Sequence, residues 1–190
     1  MGTSDAAVRS LVRPDQGVLS QLMWISLFAV ATALGARVEI PHQPVPYTLQ
    51  TMIVLLSGAF LGSRNGAVSQ MLYLLSGALG APVFSAGSFG IAALLGPTGG
   101  YLLAFPAAAA VVGYLIRRRR TLVWTLISMA TGLVLIFAFG TIQLYAVAIR
   151  NLGDAILGGF LIFSWWDALK LGAAAMTYYE IAKRWPYLPR

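Results

Sequence analysis

The sequence lacks most of the residues that catalytic and metal chemistry uses. Its 190 residues include no cysteine, a single histidine, His42, and only six acids. Without cysteine there is no disulfide, no thiolate chemistry and no cysteine-containing metal site. One histidine cannot form a metal cluster by itself. We therefore expect a protein that binds a ligand and uses neither a metal nor a cofactor of its own.

Charge is also scarce. Charged residues make up 10% of the chain and hydrophobic residues 58%, whereas soluble domains carry about 25% charged residues. Six acids and 13 bases are too few to cover a water-exposed surface, so the sequence predicts an integral membrane protein. The net charge of +7 would also suit nucleic acid, but we exclude that partner because the bases cluster at predicted membrane borders.

Apolar runs predict an all-α bundle of six transmembrane helices, in one substrate-binding domain that covers residues 1–190. The predicted spans are residues 18–36, 49–61, 67–79, 101–116, 121–149 and 165–183. The second and third are short for a hydrocarbon core of about 30 Å, and they cross if their ends extend or the bilayer thins. Residues 1–16 and 185–190 are predicted tails, and residues 155–163 lie at the surface or re-enter. The first run also resembles a signal peptide, but it is longer than the usual core of about 7–15 residues.

Two stretches break the apolar pattern. Residues 37–48 contain three prolines and cannot be helical, and residues 80–100 are rich in glycine and proline. Irregular backbone at membrane depth survives only where it is buried in protein or lines a cavity. A tight turn between two helices explains only some of these glycines. Residues 96–101 lack the Gly-Lys-Ser/Thr ending of a nucleotide P-loop, so we exclude ATP binding by this chain.

The bases predict the orientation. Six spans put ten bases on the side of the termini and only Arg37 and Arg150 on the other, with Lys170 inside the membrane. Cytoplasmic loops carry the excess of lysine and arginine, so both termini are predicted to be cytoplasmic. The four arginines at 117–120 are interpreted as a topology determinant, with contact to anionic lipid or a cytoplasmic partner left open. The two irregular stretches and the start of the last span then lie outside, where we expect a pocket.

Asp167 and Lys170 are the candidate site. Residues three apart share one face of a helix, and apolar sequence flanks this pair on both sides. One such charge at mid-membrane costs roughly 2.5–3.5 kcal/mol in insertion experiments. Either the two form a structural ion pair, or they form a ligand site in which Lys170 meets an anionic group and Asp167 completes a hydrogen-bond network.

Small residues mark one face of the first span. Ala29 and Ala33 form a small-xxx-small pair, the pattern that lets two membrane helices approach closely. The pair packs either within the bundle or against a partner helix.

Four segments, in order, resemble the BioY family, the biotin-specific substrate-capture (S) components of energy-coupling factor (ECF) vitamin transporters. They are VPYTLQT at 45–51, GAPVF at 80–84, GPTGGYL at 96–102 and DALK at 167–170. The resemblance extends over roughly residues 34–173. It implies a six-helix protein of a prokaryotic-type cell membrane that binds biotin at its outer side. It also implies partners: a membrane coupling subunit and two ABC ATPases, which alone use ATP.

The resemblance also implies roles for individual residues. Asp167 and Lys170 would hold the carboxylate end of biotin, and Ala29 and Ala33 would dock the coupling subunit. The other implied ligand residues lie in the first loop and the glycine-rich wall: Thr48, Gln50, Gly99, Gly100 and Tyr101.

The chemistry of these residues suits biotin, which has an anionic tail, an apolar thioether ring and a ureido group. Lys170 supplies a cation, and Gln50 and Thr48 can pair with the ureido group, while Asp167 either orients Lys170 or is protonated. Further candidate contacts, some of which could equally be interfacial anchors, are Tyr47, Phe84, Ser88, Tyr101, Trp165 and Trp166. The alternative functions are an S component for another vitamin, a small membrane enzyme using the Asp167/Lys170 pair, and a stand-alone secondary transporter.

Overall fold

The structure, a computed structural model, describes residues 17–119, 121–161 and 165–184. The predicted tails at 1–16 and 185–190, together with Arg120, lie outside the described residues. The helices are α1 Val18–Arg37, α2 Gln50–Ala78, α3 Gly90–Leu95, α4 Gly99–Leu103, α5 Phe105–Ile116, α6 Leu122–Val147, α7 Leu152–Gly159 and α8 Trp165–Arg184. Two short strands, β1 Glu39–Ile40 and β2 Tyr47–Thr48, and a 3-10 turn at Ser85–Gly87 complete the elements.

Helix α2 is a hairpin. Gly62 has a left-handed backbone, with φ 78°, which glycine adopts at little cost. The side chains of Gln50 and Tyr73 are hydrogen-bonded, although a straight helix would separate residues 23 apart by about 35 Å. A Cβ added to Gly66 would lie 2.9 Å from the Cα of Gly58. The chain therefore reverses at Gly62, and residues 50–61 and 63–78 pack side by side.

The prediction of a purely α-helical protein needs correction in the loop after α1. Glu39 pairs with Thr48 and Ile40 with Tyr47 in an antiparallel ladder. Prolines keep this stretch out of a helix, so its backbone groups pair with each other across a turn. The stretch at 80–100 is more regular than predicted, because it contains α3 and the turn at Ser85–Gly87.

Among the described residues, three helical segments are long and apolar enough to cross a membrane. They are Val18–Arg37 with a mean hydropathy of 1.7, Gly99–Ile116 with 1.7 and Leu122–Val147 with 2.2. The second of these segments consists of α4 and α5 together. Large apolar side chains also point outward from the bundle, among them Leu19 at 81% exposure and Ile142 at 65%. Apolar helices with an apolar outer surface are typical of a membrane protein, in which lipid covers that surface.

The bundle has two distinct ends. At the arginine end, the Gly62 turn lies beside the guanidinium of Arg117, and the ring of Phe60 lies 5.3 Å from that of Tyr178 in the second half of α8. At the pocket end, Lys170 in the first half of α8 contacts Thr48 in β2. The β-hairpin, the loop at 82–88 and the start of α8 therefore meet at the pocket end.

Candidate ligand-binding site

A cavity at the pocket end holds about 630 Å³ of empty space, counting the part that is open to solvent. It is formed by the β-hairpin, the first turn of α2, the 82–88 loop and helices α4, α5, α6 and α8. Its lining combines aromatic, hydroxyl and charged side chains: Val45, Pro46, Tyr47, Thr48, Gln50, Thr51, Phe84, Ser85, Ser88, Thr98, Tyr101, Leu102, Phe105, Phe137, Asp167 and Lys170.

The buried ammonium of Lys170 lies at one side of this cavity. Lys170 is 5% exposed and Asp167 2% exposed. The ammonium lies 2.7 Å from Asp167 Oδ1, and it donates to the Thr48 carbonyl and to Thr51 Oγ1, each at 2.9 Å. The three hydrogens of the ammonium are thereby engaged. This complete set of partners explains how a membrane helix carries the charge, since a buried charge without a partner is very costly.

Thr48 and Gln50 line the cavity and are also hydrogen-bonded to side chains of the protein. The Thr48 hydroxyl donates to Gln50 Oε1 at 2.8 Å, and Gln50 Nε2 donates to the Tyr73 hydroxyl. The Gln50 amide is therefore held in one orientation by bonds at both its oxygen and its nitrogen.

The 82–88 loop forms another wall. Phe84 is 1% exposed, and its ring occupies the space that a Cβ at Gly77 would need. Arg37 donates to the Pro82 carbonyl, and the Ala86 amide donates to Glu39 Oε2 at 3.0 Å. Charged groups at the end of α1 and in β1 therefore fasten this loop from outside the cavity.

Most of the predicted ligand residues come together in the cavity lining: Tyr47, Thr48, Gln50, Phe84, Ser88, Tyr101, Asp167 and Lys170. The first and last of them, Tyr47 and Lys170, are 123 positions apart in the sequence, so the fold rather than the chain order assembles them. Tyr101 also donates from its hydroxyl to the Gly159 carbonyl at 2.9 Å, which joins α4 to α7.

Gly99 and Gly100 do not line the cavity. A Cβ at Gly99 would overlap the Leu94 carbonyl, and one at Gly100 would lie 2.7 Å from Gln143 Cβ in α6. The physical reason for these glycines is close packing of α4, where no side chain fits. They support the wall that Tyr101 forms rather than forming it.

Trp166 is also outside the cavity lining. Consecutive residues of a helix point about 100° apart, so the residue before Asp167 faces a different direction. Its ring packs edge-on against Trp165, with centroids 5.9 Å apart, and Trp165 is 75% exposed.

Eight residues of the lining are not among the predicted ligand residues: Val45, Pro46, Thr51, Ser85, Thr98, Leu102, Phe105 and Phe137. Thr51 stands within the 45–51 segment, in the first turn of α2, and its place in that segment is the signal that could have found it. Phe105 and Phe137 lie inside long apolar runs, where nothing in the sequence distinguishes a residue that faces a cavity from one that faces lipid.

The small-residue face of α1 lies against the protein's own core. Ala29 is 6% exposed, and Ala33 is partly buried against the same core. Buried positions on α1 recur at Ile25, Ala29, Thr32 and Ala36, the spacing of one helix face. This arrangement is the one expected for packing within the bundle, and only the partly exposed Ala33 is accessible from outside.

The described residues contain no group of three His, Cys, Asp or Glu side chains that could hold a metal ion. The charged groups of the cavity are instead those of one cation and its carboxylate partner. The arrangement can bind an anionic group next to an apolar one, inside a membrane protein.

Comparison with known proteins gives a consistent picture. The family model described as "BioY family" matches residues 6–187. A biotin transporter BioY of Thermotoga maritima is 38% identical over 165 residues, which cover 87% of this chain and 97% of that protein. A biotin transporter BioY of Rhizobium etli is 33% identical over 180 residues, which cover 88% of this chain and 96% of that protein.

A solved structure is similar in fold. The crystal structure of the S-component for biotin from an ECF-type ABC transporter superposes with a TM-score of 0.80 and 22% sequence identity, and it covers 96% of this chain and 95% of its own. The likeness extends over nearly all of both chains, so it concerns the whole architecture rather than one motif.

Proposed function

The chain belongs to the BioY family, and on that premise we propose that it is the high-affinity biotin-binding membrane subunit of an ECF-type vitamin transporter. The observation that carries the proposal is the buried Lys170 ammonium in the wall of a cavity at one end of the bundle. Relatives that match nearly their full length are named biotin transporters. The chain is therefore a transport protein and not an enzyme.

The cavity offers each part of biotin a suitable partner. Lys170 would meet the carboxylate, with Asp167 as the group that orients the ammonium from 2.7 Å. Thr51 accepts a hydrogen bond from Lys170 and keeps its own hydroxyl hydrogen to donate to the same carboxylate. Tyr47, Phe84, Tyr101 and Phe137 would enclose the apolar ring system. Thr48, Gln50 and Ser88 would supply polar partners to the ureido group.

We extend the proposal to the membrane topology: six spans with both termini cytoplasmic and the cavity facing outward across the cell membrane. The reversal at Gly62 supports two spans within α2. The described bases divide unequally between the ends, with Arg37, Arg150 and the buried Lys170 at the pocket end and six at the arginine end: Arg64, Arg117, Arg118, Arg119, Lys183 and Arg184. Excess positive charge favours the cytoplasmic side.

The proposed partners are a membrane coupling subunit and two ABC ATPases, which would hydrolyse the ATP that drives release. We propose docking at α1 through the partly exposed Ala33, while Ala29 on the same stripe is buried in the bundle. Ala33→Trp should abolish ATP-driven uptake and leave biotin binding intact. Leu27→Trp, at a position 51% exposed on the same helix, is the matched control. Loss of binding together with uptake in Ala33→Trp would favour packing within the bundle.

The test of the substrate is titration of the purified protein in detergent with biotin, thiamine and riboflavin. Biotin should bind at least 100-fold more tightly than either of the others, and it should be recovered chemically unchanged. Equal affinity for the three vitamins would overturn the substrate assignment, and turnover of the ligand would favour a membrane enzyme. Uptake into liposomes by this chain alone, without an ATPase, would indicate a secondary transporter.

A further inference from the structure

A line of hydrogen bonds connects the buried ammonium to the opposite wall of the cavity. Lys170 donates to the Thr48 carbonyl at 2.9 Å, and the Thr48 hydroxyl donates to Gln50 Oε1 at 2.8 Å. Gln50 Nε2 donates to the Tyr73 hydroxyl, which donates to the Val83 carbonyl at 3.2 Å. From the Thr48 hydroxyl onward each donor points towards the 82–88 loop, and bonds aligned in this way strengthen one another.

Among the side chains that donate in this line, Tyr73 is the one that does not line the cavity. It is 1% exposed, and its ring packs edge-on against Phe84 and parallel to Phe105, with centroids 5.5 and 6.2 Å away. A phenylalanine would provide the same ring contacts. Burying a hydroxyl costs free energy unless it is hydrogen-bonded, so packing alone does not explain a tyrosine at this position.

We propose that Tyr73 is a positioning residue for the ligand cavity. Its hydroxyl fixes the 82–88 loop, which carries Phe84 and Ser88, relative to the segment of Thr48 and Gln50 that holds Lys170. This inference rests on the proposed binding of biotin, because it assigns Tyr73 the task of keeping two walls at the separation that the ligand requires.

The loop has other attachments that do not pass through Tyr73. Arg37 donates to the Pro82 carbonyl, and Glu39 accepts from the Ala86 amide. The loop is also closed on itself, since the Phe84 amide donates to the Ser88 carbonyl at 3.1 Å. Removal of the Tyr73 hydroxyl should therefore loosen the inner side of the loop and leave its outer side attached.

The test is Tyr73→Phe, which keeps the ring and deletes both hydrogen bonds. In purified protein, biotin should dissociate about tenfold faster, the effect expected for one to two buried hydrogen bonds. Amide hydrogen exchange at residues 84–88 should also become faster in the ligand-free protein, with α6 unchanged. The matched control is Tyr114→Phe, because the Tyr114 hydroxyl accepts from Arg118 at the arginine end and should affect neither measurement.

The exchange measurement needs no ligand, so it separates this inference from the proposed function. Faster exchange at 84–88 in a protein that binds no biotin would refute the function and support the link between Tyr73 and the loop. Wild-type exchange at 84–88 in Tyr73→Phe would overturn the inference, whatever the affinity. Tyr73→Phe leaves the Gln50 amide without its acceptor, which could keep the variant from folding. The double variant Gln50→Leu/Tyr73→Phe removes that amide as well. Faster hydrogen exchange at residues 84–88 in the double variant would support the inference, and wild-type exchange would overturn it.

Discussion

At the scale of single residues, the contacts of the Asp167/Lys170 pair offset the free-energy cost of burying two charges. Two charges inside a membrane helix are expensive, and here the ammonium lies 2.7 Å from the carboxylate. The fold adds a carbonyl and a hydroxyl to the ammonium. The ammonium therefore has a full set of partners within the protein, at the wall of the cavity.

Lys170→Ala should weaken biotin binding about 100-fold or more. The reason is that the ligand carboxylate would lose its buried cation, and truncating one partner of such a charge pair costs roughly 2–5 kcal/mol of binding free energy. Lys183→Ala is the matched control, since Lys183 lies on the same helix with an exposed side chain. Isothermal titration with biotin measures both variants. Wild-type affinity in Lys170→Ala would show that Lys170 does not contribute to biotin binding.

The double variant Asp167→Asn/Lys170→Met separates stability from binding. Lys170→Met alone leaves a buried carboxylate without its cation and should lose about 3–5 kcal/mol of stability. Neutralising Asp167 as well should recover most of the thermal stability in detergent without restoring biotin affinity. Recovered affinity would show that the two charges serve only the fold.

Glu39 is the second residue with a testable role. Its carboxylate accepts from the amide of Ala86 at 3.0 Å, where the backbone is left-handed with φ 52°. Glu39→Ala should weaken biotin binding about fivefold, because one hydrogen bond to a charged group is lost at a partly exposed site. Glu180→Ala, which truncates an exposed glutamate of α8, serves as the control for a change of charge. A fivefold loss in both variants would attribute the effect to net charge instead of the loop.

At the scale of elements, glycines set how closely the helices approach. A Cβ at Gly58 in α2 would overlap the backbone of Ala109 in α5, lying 3.0 Å from its Cα. Backbone cannot move aside as a side chain can, so the contact between these helices depends on the missing methyl group. The reversal at Gly62 brings the two halves of α2 together by the same means, through Gly58 and Gly66.

Gly58→Ala should lower the free energy of unfolding in detergent by about 1–3 kcal/mol, the usual cost of overpacking. Gly172→Ala in α8 is the matched control, because a Cβ there would meet no atom within 4 Å. The free energy of unfolding of Gly172→Ala should be unchanged or rise by up to about 1 kcal/mol, because alanine has a higher helix propensity than glycine. Equal stability of the two variants would contradict the close contact of α2 with α5.

At the scale of the whole molecule, the two ends differ in charge and in structure. The pocket end collects the β-hairpin, the 82–88 loop and the cavity, while the arginine end collects tight turns and most of the bases. If the arginine end is cytoplasmic, the cavity opens towards the outside, where a scarce nutrient would be captured.

Single cysteines can test that orientation directly, because the chain has none of its own. Gln43→Cys in the β-hairpin loop should react with a membrane-impermeant maleimide on intact cells. Asn65→Cys, next to the Gly62 turn, should react only after the membrane is permeabilised. The reverse pattern would invert the topology and place the cavity on the cytoplasmic side.

The amino-acid sequence by itself determined the class of protein, the long helices α1 and α6, and half of the residues that line the cavity. Hydropathy decides membrane insertion segment by segment, and a charged pair in an apolar run stands out without any fold. Asp167 and Lys170 could be predicted for that reason, and the four family segments pointed to Tyr47, Thr48, Gln50, Phe84 and Tyr101.

Only the tertiary structure decided which side of each helix faces the cavity, the core or the lipid. Phe137 in an apolar run lines the cavity, whereas Trp166 beside the charged pair does not, and Gly99 and Gly100 serve helix contact. In a membrane both environments are apolar, so the contrast between inside and outside that marks the faces of a soluble helix is missing. The link from Lys170 through Tyr73 to Val83 joins residues 170, 73 and 83, and only the folded chain brings these residues together.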